Sequence, residues 1–344
     1  MWHVSQDFFY SYSLCTLIKI FSQLTYMHKR GNLNKYVKEY QWSNIFAMLR
    51  NQNLDPEICL DDFKNRLVVI TGATSGIGYA AALKYASHGA DILSINRNEK
   101  RSIELCEKIQ SQFGVLCNYM IADFAKLDDI HAAAKQLAAI DRNIDVLIHN
   151  AGVYVTQKTI TEDNLELTFE INYLSTFILN HYTKDKFIKQ NSGRIIYVNS
   201  EAHRFAVWGL YLDDLNWEKH SYSGLKSYGA AKTAQLLSMI KLVDVFHGTN
   251  ITVNAMHPGN VITNSGQHNG TLYKIIKKIV VDPTARPLEI SGESLYYLGV
   301  SNKVAHQTGK FFNLTTEEEP APPALDSEAA DDLWILSHKL GGIT

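Results

Sequence analysis

From about residue 65 the chain alternates short apolar runs with longer helical patterns. The apolar runs look like buried strands of a parallel sheet, because strands covered on both faces are apolar throughout. They lie at 67–71, 91–95, 116–121, 144–149, 194–199 and 250–255, with a last short strand at Phe311 and Phe312. Alternation of this kind predicts an α/β fold with a doubly wound parallel sheet, in which ligands bind at the carboxyl ends of the strands.

The segments on either side of this alternation have a different composition. Residues 1–62 are rich in aromatic and polar residues and end near the turn-like NLDP, so they are interpreted as a helical N-terminal extension to a domain at 63–315. Residues 316–344 belong to an acidic, proline-rich stretch, TTEEEPAPPALD, followed by an apolar stripe. This pattern predicts a solvated linker and a final helix that begins at Ser327.

Composition restricts the class of ligand and the environment. At 344 residues, with 46% apolar and 20% charged residues and a formal net charge of -2, the chain has a globular balance that favours small ligands over nucleic acid. The four cysteines lie far apart, without metal-ligand spacing, so a reduced, metal-free, cytoplasmic protein is expected. The apolar run at 8–21 is too short to span a bilayer and does not have the flanks of a secretory signal. It predicts a packing helix, with a membrane-surface helix as the alternative.

A glycine-rich turn, VVITGATSGIGYAA, follows the first predicted strand and precedes a helical pattern. Glycines let such a turn approach a pyrophosphate closely, and backbone amides at the helix N-terminus hold its charge. The position between strand and helix favours nucleotide binding, although a glycine-rich turn can also be purely structural. The predicted contacts are Gly72, Thr74, Ser75, Gly76, Ile77 and Gly78.

The second strand ends in ILSINRNEK, and the residues at this strand end are used to predict whether the cofactor is NAD or NADP. An acidic residue there would accept hydrogen bonds from the ribose hydroxyls of NAD and would repel a 2′-phosphate. Asn96 stands at that point, and Arg97 can form charge-assisted bonds to a phosphate, so NADP is favoured over NAD. Two observations count against NADP: no basic residue stands just before Gly76, and Arg97 has the alternative of being a solvated loop residue.

Two further turns complete the predicted cofactor site. Asp123, in IADF after the third strand, is placed either to accept a hydrogen bond from an adenine amino group or to cap the following helix. Asn150, Ala151 and Gly152 end the fourth strand with small residues that let a cofactor lie close to the backbone. The alternative for these three is an ordinary strand-to-helix turn.

The pattern Tyr-x-x-x-Lys predicts an acid–base catalyst. Side chains four apart share one face of a helix, so the ammonium can lower the pKa of the phenol toward working pH. The spacing alone does not identify the catalyst, because five pairs have it: Tyr154/Lys158, Tyr182/Lys186, Tyr222/Lys226, Tyr228/Lys232 and Tyr273/Lys277.

The order of the motifs resembles that of one family. The glycine turn, Asn-Ala-Gly, Asn172 in EINYLSTF, Ser200 in IIYVNSEAH, Tyr-x-x-x-Lys and HPGNVIT occur in the order of the short-chain dehydrogenase/reductases, with Rossmann-type sheets. The resemblance covers about 65–314. VNSEAHRF, LDDLNW and HPGNVITN look like the branch of the retinol dehydrogenases and the WW-domain-containing oxidoreductases, although residues 1–60 show no WW module. Asn199 replaces the first residue of the common double serine.

The resemblance selects one pair and implies the roles. The family's catalytic tyrosine follows the serine and opens a helix, whereas Tyr222/Lys226 spans Ser and Gly, which are poor in a helix interior. Tyr228 would therefore be the general acid or base, Lys232 would lower its pKa and hold the nicotinamide ribose, Ser200 would bind the substrate oxygen and Asn172 would hold a proton-relay water. The residues that would flank the nicotinamide are Pro258, Gly259, Val261 and Thr263.

The insert between the serine and the tyrosine bears on the substrate. Its apolar side chains predict a pocket for a small hydrophobic carbonyl or alcohol, or else they only pack the insert onto the domain. A lysine–isoleucine segment at 274–279 predicts an amphipathic helix, with a mobile lid or membrane contact as the alternatives. A homo-oligomer is implied by resemblance only. A weakly catalytic, dinucleotide-binding sensor or scaffold is the alternative to an enzyme. The insert residues are Phe205, Trp208, Leu210, Tyr211 and Trp217.

Overall fold

The computed structural model describes residues 35–36, 38–51, 54–261 and 285–343. The chain divides into two compact units, residues 1–40 and 41–344. The described residues of the first unit form turns, in which the Glu39 N–H donates to the Tyr36 carbonyl at 2.9 Å. All elements named below belong to the second unit.

The described part of the second unit contains one eight-stranded sheet. The strands are β1 (Leu67–Thr71), β2 (Asp91–Asn96), β3 (Cys117–Ile121), β4 (Val146–His149), β5 (Gly193–Val198), β6 (Ile251–His257), β7 (Phe311–Asn313) and β8 (Thr316–Glu318). Their order is β3-β2-β1-β4-β5-β6-β7-β8, parallel throughout except for β8, which pairs antiparallel with β7. The predicted doubly wound sheet is confirmed, and the six longer strands end within two residues of their predicted bounds. The strand order reverses between β1 and β4, where such sheets bind ligands.

Helices cover both faces of this sheet. They are α1 (Trp42–Asn51), α2 (Gly76–Ser87), α3 (Glu99–Phe113), α4 (Leu127–Ala139), α5 (Ser175–Gln190), α6 (Gly224–Val245), α7 (Glu289–Val300) and α8 (Ser327–Leu340). Buried residues of α2, α3 and α7 share one hydrophobic cluster, and those of α4, α5, α6 and α8 share the other. Val68 and Ile70 of β1 face the first cluster, and Leu67 and Val69 face the second. Burial on both faces explains why the strands are apolar throughout.

One prediction about the flanking segments needs correction. The helical N-terminal extension stays a prediction: its described residues include helix α1, and residues 54–62 form no regular element. The stretch interpreted as a solvated linker contributes β8, and Glu318 within it is buried. Its Oε2 accepts a hydrogen bond from Arg204 Nη2 at 2.8 Å, across 114 residues of sequence. Because Arg204 supplies the opposite charge, an acidic residue can lie inside the protein.

The C-terminal helix α8 begins at Ser327, as predicted, and its apolar stripe packs on α5 and α6. The Trp334 ring makes an edge contact with Phe177 at 4.9 Å between centroids, and Ser337 Oγ is 2.7 Å from the Tyr173 hydroxyl. Among the described residues, no helix combines the length and apolar character that crossing a bilayer requires.

Helices α2 and α7 approach closely at a glycine. A Cβ atom at Gly299 would lie 1.8 Å from the hydroxyl oxygen of Tyr85. That hydroxyl is buried and donates to the Leu295 carbonyl at 2.7 Å, so it has no room to retreat. Side-chain packing therefore requires glycine at this position.

We expect Gly299→Ala to lower the free energy of unfolding by about 1–3 kcal/mol, the usual cost of overpacking. Tyr85→Phe removes the nearest clashing atom, at a cost of about 1 kcal/mol for the lost hydrogen bond. The double variant should therefore be less destabilised than the sum of the single variants. Urea denaturation of the four proteins measures this coupling, and strictly additive costs would contradict the proposed contact.

Candidate active site

Two asparagine side chains hold the loop after β1 in shape. Asn96 Oδ1, from the end of β2, accepts a hydrogen bond from the Ala73 N–H at 2.8 Å. Asn150 Nδ2, after β4, donates to the carbonyls of Thr71 at 2.9 Å and Gly72 at 3.0 Å. The loop is therefore fixed from both neighbouring strands. Asn96 lies where the sequence predicted an acid in NAD-binding proteins, and its side chain is used in bracing the loop.

The glycines of this loop are required by backbone conformation and by close packing. Gly72 and Gly76 have φ angles of +69° and +59°, which disfavour other residues. A Cβ atom at Gly78 would lie 2.4 Å from Asn150 Nδ2. The side chain of Ser75, at the start of α2, makes no capping hydrogen bond, so it does not occupy the first-turn amides of that helix. This combination fits an anion such as a pyrophosphate. The predicted contacts Thr74, Ser75, Gly76 and Ile77 are half-buried.

The two side chains predicted to contact the adenosine end differ in their surroundings. Arg97 is exposed, and within the described residues its guanidinium makes no hydrogen bond or ion pair. Asp123 is half-buried, and its Oδ1 accepts a hydrogen bond from the Ala125 N–H at 3.1 Å. That bond shapes the turn between β3 and α4. The N-cap residue of α4 is Lys126, whose side chain makes no capping bond, so Asp123 does not cap the helix as the alternative proposed.

Tyr228 and Lys232 lie near the start of α6, beside the end of β5. The Lys232 Nζ atom is 5.6 Å from the centroid of the Tyr228 ring and donates to the Val198 carbonyl at 2.8 Å. Lys232 is 3% exposed, and this burial lowers its pKa to about 7. A Cβ atom at Gly229 would lie 2.8 Å from the Ala202 carbonyl, so glycine lets α6 approach the loop after β5.

Tyr222 and Lys226, the nearest rival pair, point in different directions. The Tyr222 hydroxyl lies 3.4 Å from the Val155 carbonyl, and burial raises its pKa to about 12. Lys226 Nζ donates to Ser221 Oγ at 3.2 Å and lies 5.4 Å from the centroid of the Trp208 ring. This tyrosine has its pKa moved away from working pH, contrary to what acid–base catalysis requires.

In the other described Tyr-x-x-x-Lys pairs, the lysine bonds to a group other than its tyrosine, and one pair lies outside the described residues. Lys158 donates to the Trp217 carbonyl at 3.1 Å. Tyr182 is hydrogen-bonded to His131, and Lys186 donates to the Ile140 carbonyl. Tyr273 and Lys277 lie outside the described residues.

Ser200 follows β5 and begins a 3₁₀ turn. Its Oγ accepts a hydrogen bond from the Ala202 N–H at 3.1 Å, and its own N–H donates to Asn199 Oδ1 at 2.8 Å. His203 Nδ1 lies 2.7 Å from the Ser200 carbonyl, and its Nε2 lies 3.2 Å from the Ala321 N–H. The backbone N–H must be the donor to Nε2, so Nδ1 carries the proton. Burial holds the pKa of His203 well below its usual range, in keeping with this neutral form. The motif SEAH contained His203, but only the fold shows that it anchors the serine.

Asn172 lies in a π-helical turn, Glu170–Leu174, that precedes α5. Its Oδ1 accepts from the Val153 N–H at 2.7 Å, and its Nδ2 donates to the Val153 carbonyl at 2.9 Å. The side chain is thus used to hold the loop after Gly152. The Asn172 carbonyl accepts a hydrogen bond from Gln235 Nε2 at 2.6 Å, a contact that the sequence did not predict.

The residues predicted beside the nicotinamide follow β6. Pro258 and Gly259 are buried, and Gly259 has a φ angle of +82°. Val261 pairs with Arg286 in an isolated parallel bridge. Thr263, the predicted carboxamide contact, and the lysine–isoleucine segment at 274–279 lie outside the described residues.

Aromatic side chains lie against Tyr228 and within the insert that precedes it. The Tyr154 ring contacts Tyr228 edge to face, with centroids 5.5 Å apart and planes at 80°. Its position two residues after Asn-Ala-Gly was the available sequence signal, although as a catalyst it fails on motif order because it precedes Ser200. Within the insert, Trp217 is buried in edge contacts with Tyr211 and Tyr222. Those contacts favour the packing alternative for Tyr211 and Trp217, and Leu210 likewise packs on the core.

Comparison with known proteins agrees with this geometry. The short chain dehydrogenase family model matches residues 66–212. Human retinol dehydrogenase 13 is 32% identical over 287 residues, which cover 81% of this chain and 85% of that protein. Human WW domain-containing oxidoreductase is 28% identical over 285 residues, covering 81% and 69%.

A solved structure shows the same fold. L-sorbose reductase from Gluconobacter frateurii, complexed with NADPH and L-sorbose, has a TM-score of 0.58 at 22% identity, over 74% of this chain and 97% of that one. The predicted resemblance to the retinol dehydrogenase and WW domain-containing oxidoreductase branch is thereby confirmed. The chain belongs to the short-chain dehydrogenase/reductase family, and it is an oxidoreductase that acts on CH–OH or C=O groups.

Proposed function

We propose that this protein is an NADP-dependent oxidoreductase that interconverts a carbonyl and an alcohol on a hydrophobic small molecule. The observation that carries the proposal is the buried Lys232, whose ammonium lies beside the Tyr228 ring and bonds to the end of β5. A lysine kept from water without a carboxylate partner is costly for a fold, and such residues concentrate at functional sites.

The described residues fit a nicotinamide dinucleotide. The loop that contains Gly72 and Gly76, both with positive φ angles, and the backbone amides at the start of α2 would hold its pyrophosphate. The exposed Arg97 would bind a 2′-phosphate. NADPH in the L-sorbose reductase supports a cofactor of this class. When bound, the nicotinamide supplies or accepts the hydride. The other residues proposed to line the cofactor are Thr74, Ser75, Ile77, Gly78, Asp123, Asn150, Ala151, Gly152, Pro258, Gly259, Val261 and Thr263.

The side chains near β5 and α6 would transfer a proton to or from the substrate oxygen. In reduction Tyr228 would donate its phenolic proton to the carbonyl oxygen, and in oxidation its phenolate would remove the proton of the alcohol. The Lys232 ammonium would stabilise that phenolate. Ser200 Oγ accepts from the Ala202 N–H, which leaves the hydroxyl hydrogen to be donated to the substrate oxygen. Asn172 would fix the loop that carries Tyr154.

The substrate proposed is hydrophobic. Tyr154 contributes an aromatic ring next to Tyr228. Phe205 and Trp208 of the insert follow Ser200 closely in the sequence, and both are half-buried. Retinol dehydrogenase 13 acts, by its name, on a hydrophobic alcohol, which supports the same class here. The expectations of a homo-oligomer and a cytoplasmic location, with a membrane surface as the alternative, stay predictions.

Tyr228→Phe should abolish turnover while leaving NADPH affinity nearly unchanged, because it removes only the transferable proton. Tyr222→Phe is the matched control and should retain most of the activity, since its hydroxyl faces Val155 rather than the catalytic lysine. Steady-state reduction of hydrophobic aldehydes, with fluorescence titration of NADPH, measures both effects. Equal losses in the two variants would contradict the choice of Tyr228.

Arg97→Ala should weaken NADPH binding about 10- to 100-fold, as expected for a lost charge-assisted bond of about 1.5–3 kcal/mol. NADH lacks the 2′-phosphate, so its titration with the same variant is the internal control and should change little. An unchanged NADPH preference would remove Arg97 from the site. If neither nucleotide binds the wild-type protein, the proposed function itself fails.

A further inference from the structure

Gln235 joins three of the proposed active-site elements through one buried amide. It lies one helical turn after Lys232 on α6 and is fully buried. Its Oε1 accepts hydrogen bonds from Lys232 Nζ at 3.2 Å and from Asn199 Nδ2 at 3.0 Å. Its Nε2 donates to the Asn172 carbonyl at 2.6 Å. One side chain thus connects α6, the end of β5 and the π-helical turn.

Backbone groups at both ends of this network fix the orientation of both amides. The Ser200 N–H can only donate, so the Asn199 atom that it meets must be Oδ1. Asn199 Nδ2 is then directed at the Lys232 carbonyl, 2.9 Å away, and at Gln235. The Asn172 carbonyl can only accept, so Nε2 of Gln235 must face it, leaving Oε1 toward the lysine. A single arrangement matches every donor with an acceptor.

We propose that Gln235, oriented by Asn199, is a positioning residue that fixes and stabilises the Lys232 ammonium against Tyr228. This inference rests on the proposed function. The negative end of the amide dipole faces Nζ, where it favours the charged form of the lysine. The same amide links the lysine, through Gln235, to the Asn172 carbonyl, so that the lysine, the serine strand and the π-helical turn keep one relative geometry.

The surroundings of Lys232 contain few groups besides this amide that could stabilise its charge. Burial lowers the pKa of Lys232 to about 7, and among the described residues no charged group contributes to that shift. The groups facing Nζ are the Tyr228 ring and Gln235 on its own helix and the Val198 carbonyl on β5. Loss of one of the two hydrogen-bond acceptors should therefore destabilise the charged form of Lys232.

The test compares three variants of the full chain. Gln235→Met keeps the length and apolar volume of the side chain but removes the amide. Gln235→Glu keeps an oxygen toward Lys232. It replaces the N–H donor to the Asn172 carbonyl with a second oxygen, so that hydrogen bond is lost. Ser238→Ala, one turn further along α6 and equally buried, is the control for a polar-to-apolar change that does not touch the lysine. Circular dichroism and NADPH titration establish that each variant folds.

Two readouts are followed against pH. One is kcat for NADP⁺-dependent oxidation of a hydrophobic alcohol. The other needs neither cofactor nor turnover: it is the ultraviolet absorbance of tyrosinate, taken as the difference between each protein and the same protein carrying Tyr228→Phe, which isolates the ionisation of Tyr228.

In Gln235→Met, kcat should fall about 10²-fold, as for a misplaced catalytic group, and both pH profiles should move to higher pH because the phenolate loses a nearby charge. Ser238→Ala should leave both profiles in place. Gln235→Met profiles that coincide with those of Ser238→Ala would overturn the inference, whatever the value of kcat.

If Gln235→Met does not fold, Gln235→Glu decides. Its carboxylate should keep Lys232 charged to higher pH, which NMR of the ¹⁵N-labelled lysine Nζ atoms measures, and an unmoved or lowered pKa of Lys232 would overturn the inference. Failure of the proposed function is distinguishable, because it would appear as wild-type protein without Tyr228-dependent turnover. The tyrosinate readout would still report on Gln235 in that case.

Discussion

The arrangement of the site depends on one buried charge. Lys232 is 3% exposed, and its Nζ is held by a backbone carbonyl and a side-chain amide rather than by a carboxylate. A carboxylate partner would keep the lysine charged but would also place a negative charge beside any phenolate formed on Tyr228. Neutral acceptors avoid that repulsion, at the cost of a lowered pKa. The resulting lysine titrates near neutrality, where a small change in its surroundings alters its charge.

The fold brings these groups together through close backbone approaches. Parallel strands place Asn150 and Ser200 at one edge of the sheet, because β4 and β5 are neighbours. Gly229 lets α6 reach the Ser200 loop, and His203 ties the same loop to the segment after β8. The segment after β8 therefore supports the Ser200 loop.

Local pattern was sufficient to predict the strands and the glycine turn, because these depend on neighbouring residues. Motif order led to the choice of Tyr228, which stays a prediction. Side-chain partners distant in sequence were not predictable in this way. Glu318 was assigned to a solvated linker because its counter-charge, Arg204, comes from another part of the chain. Asn96 and Asn150 look like ligand-facing residues in sequence, yet they brace the loop backbone. Gln235 belongs to no motif, and three tertiary contacts give it a role.

Direct hydride transfer from NADPH to the substrate carbon, with Tyr228 as the proton donor, is tested most directly by an isotope experiment. NADPH deuterated at the transferable position of the nicotinamide is incubated with the protein and a hydrophobic aldehyde, and the alcohol product is examined by mass spectrometry and NMR. We expect deuterium on the carbinol carbon with the wild-type protein and no product with Tyr228→Phe. NADPH that binds tightly but transfers no deuterium to any member of a panel of hydrophobic aldehydes and ketones would contradict this expectation and favour a dinucleotide-binding sensor.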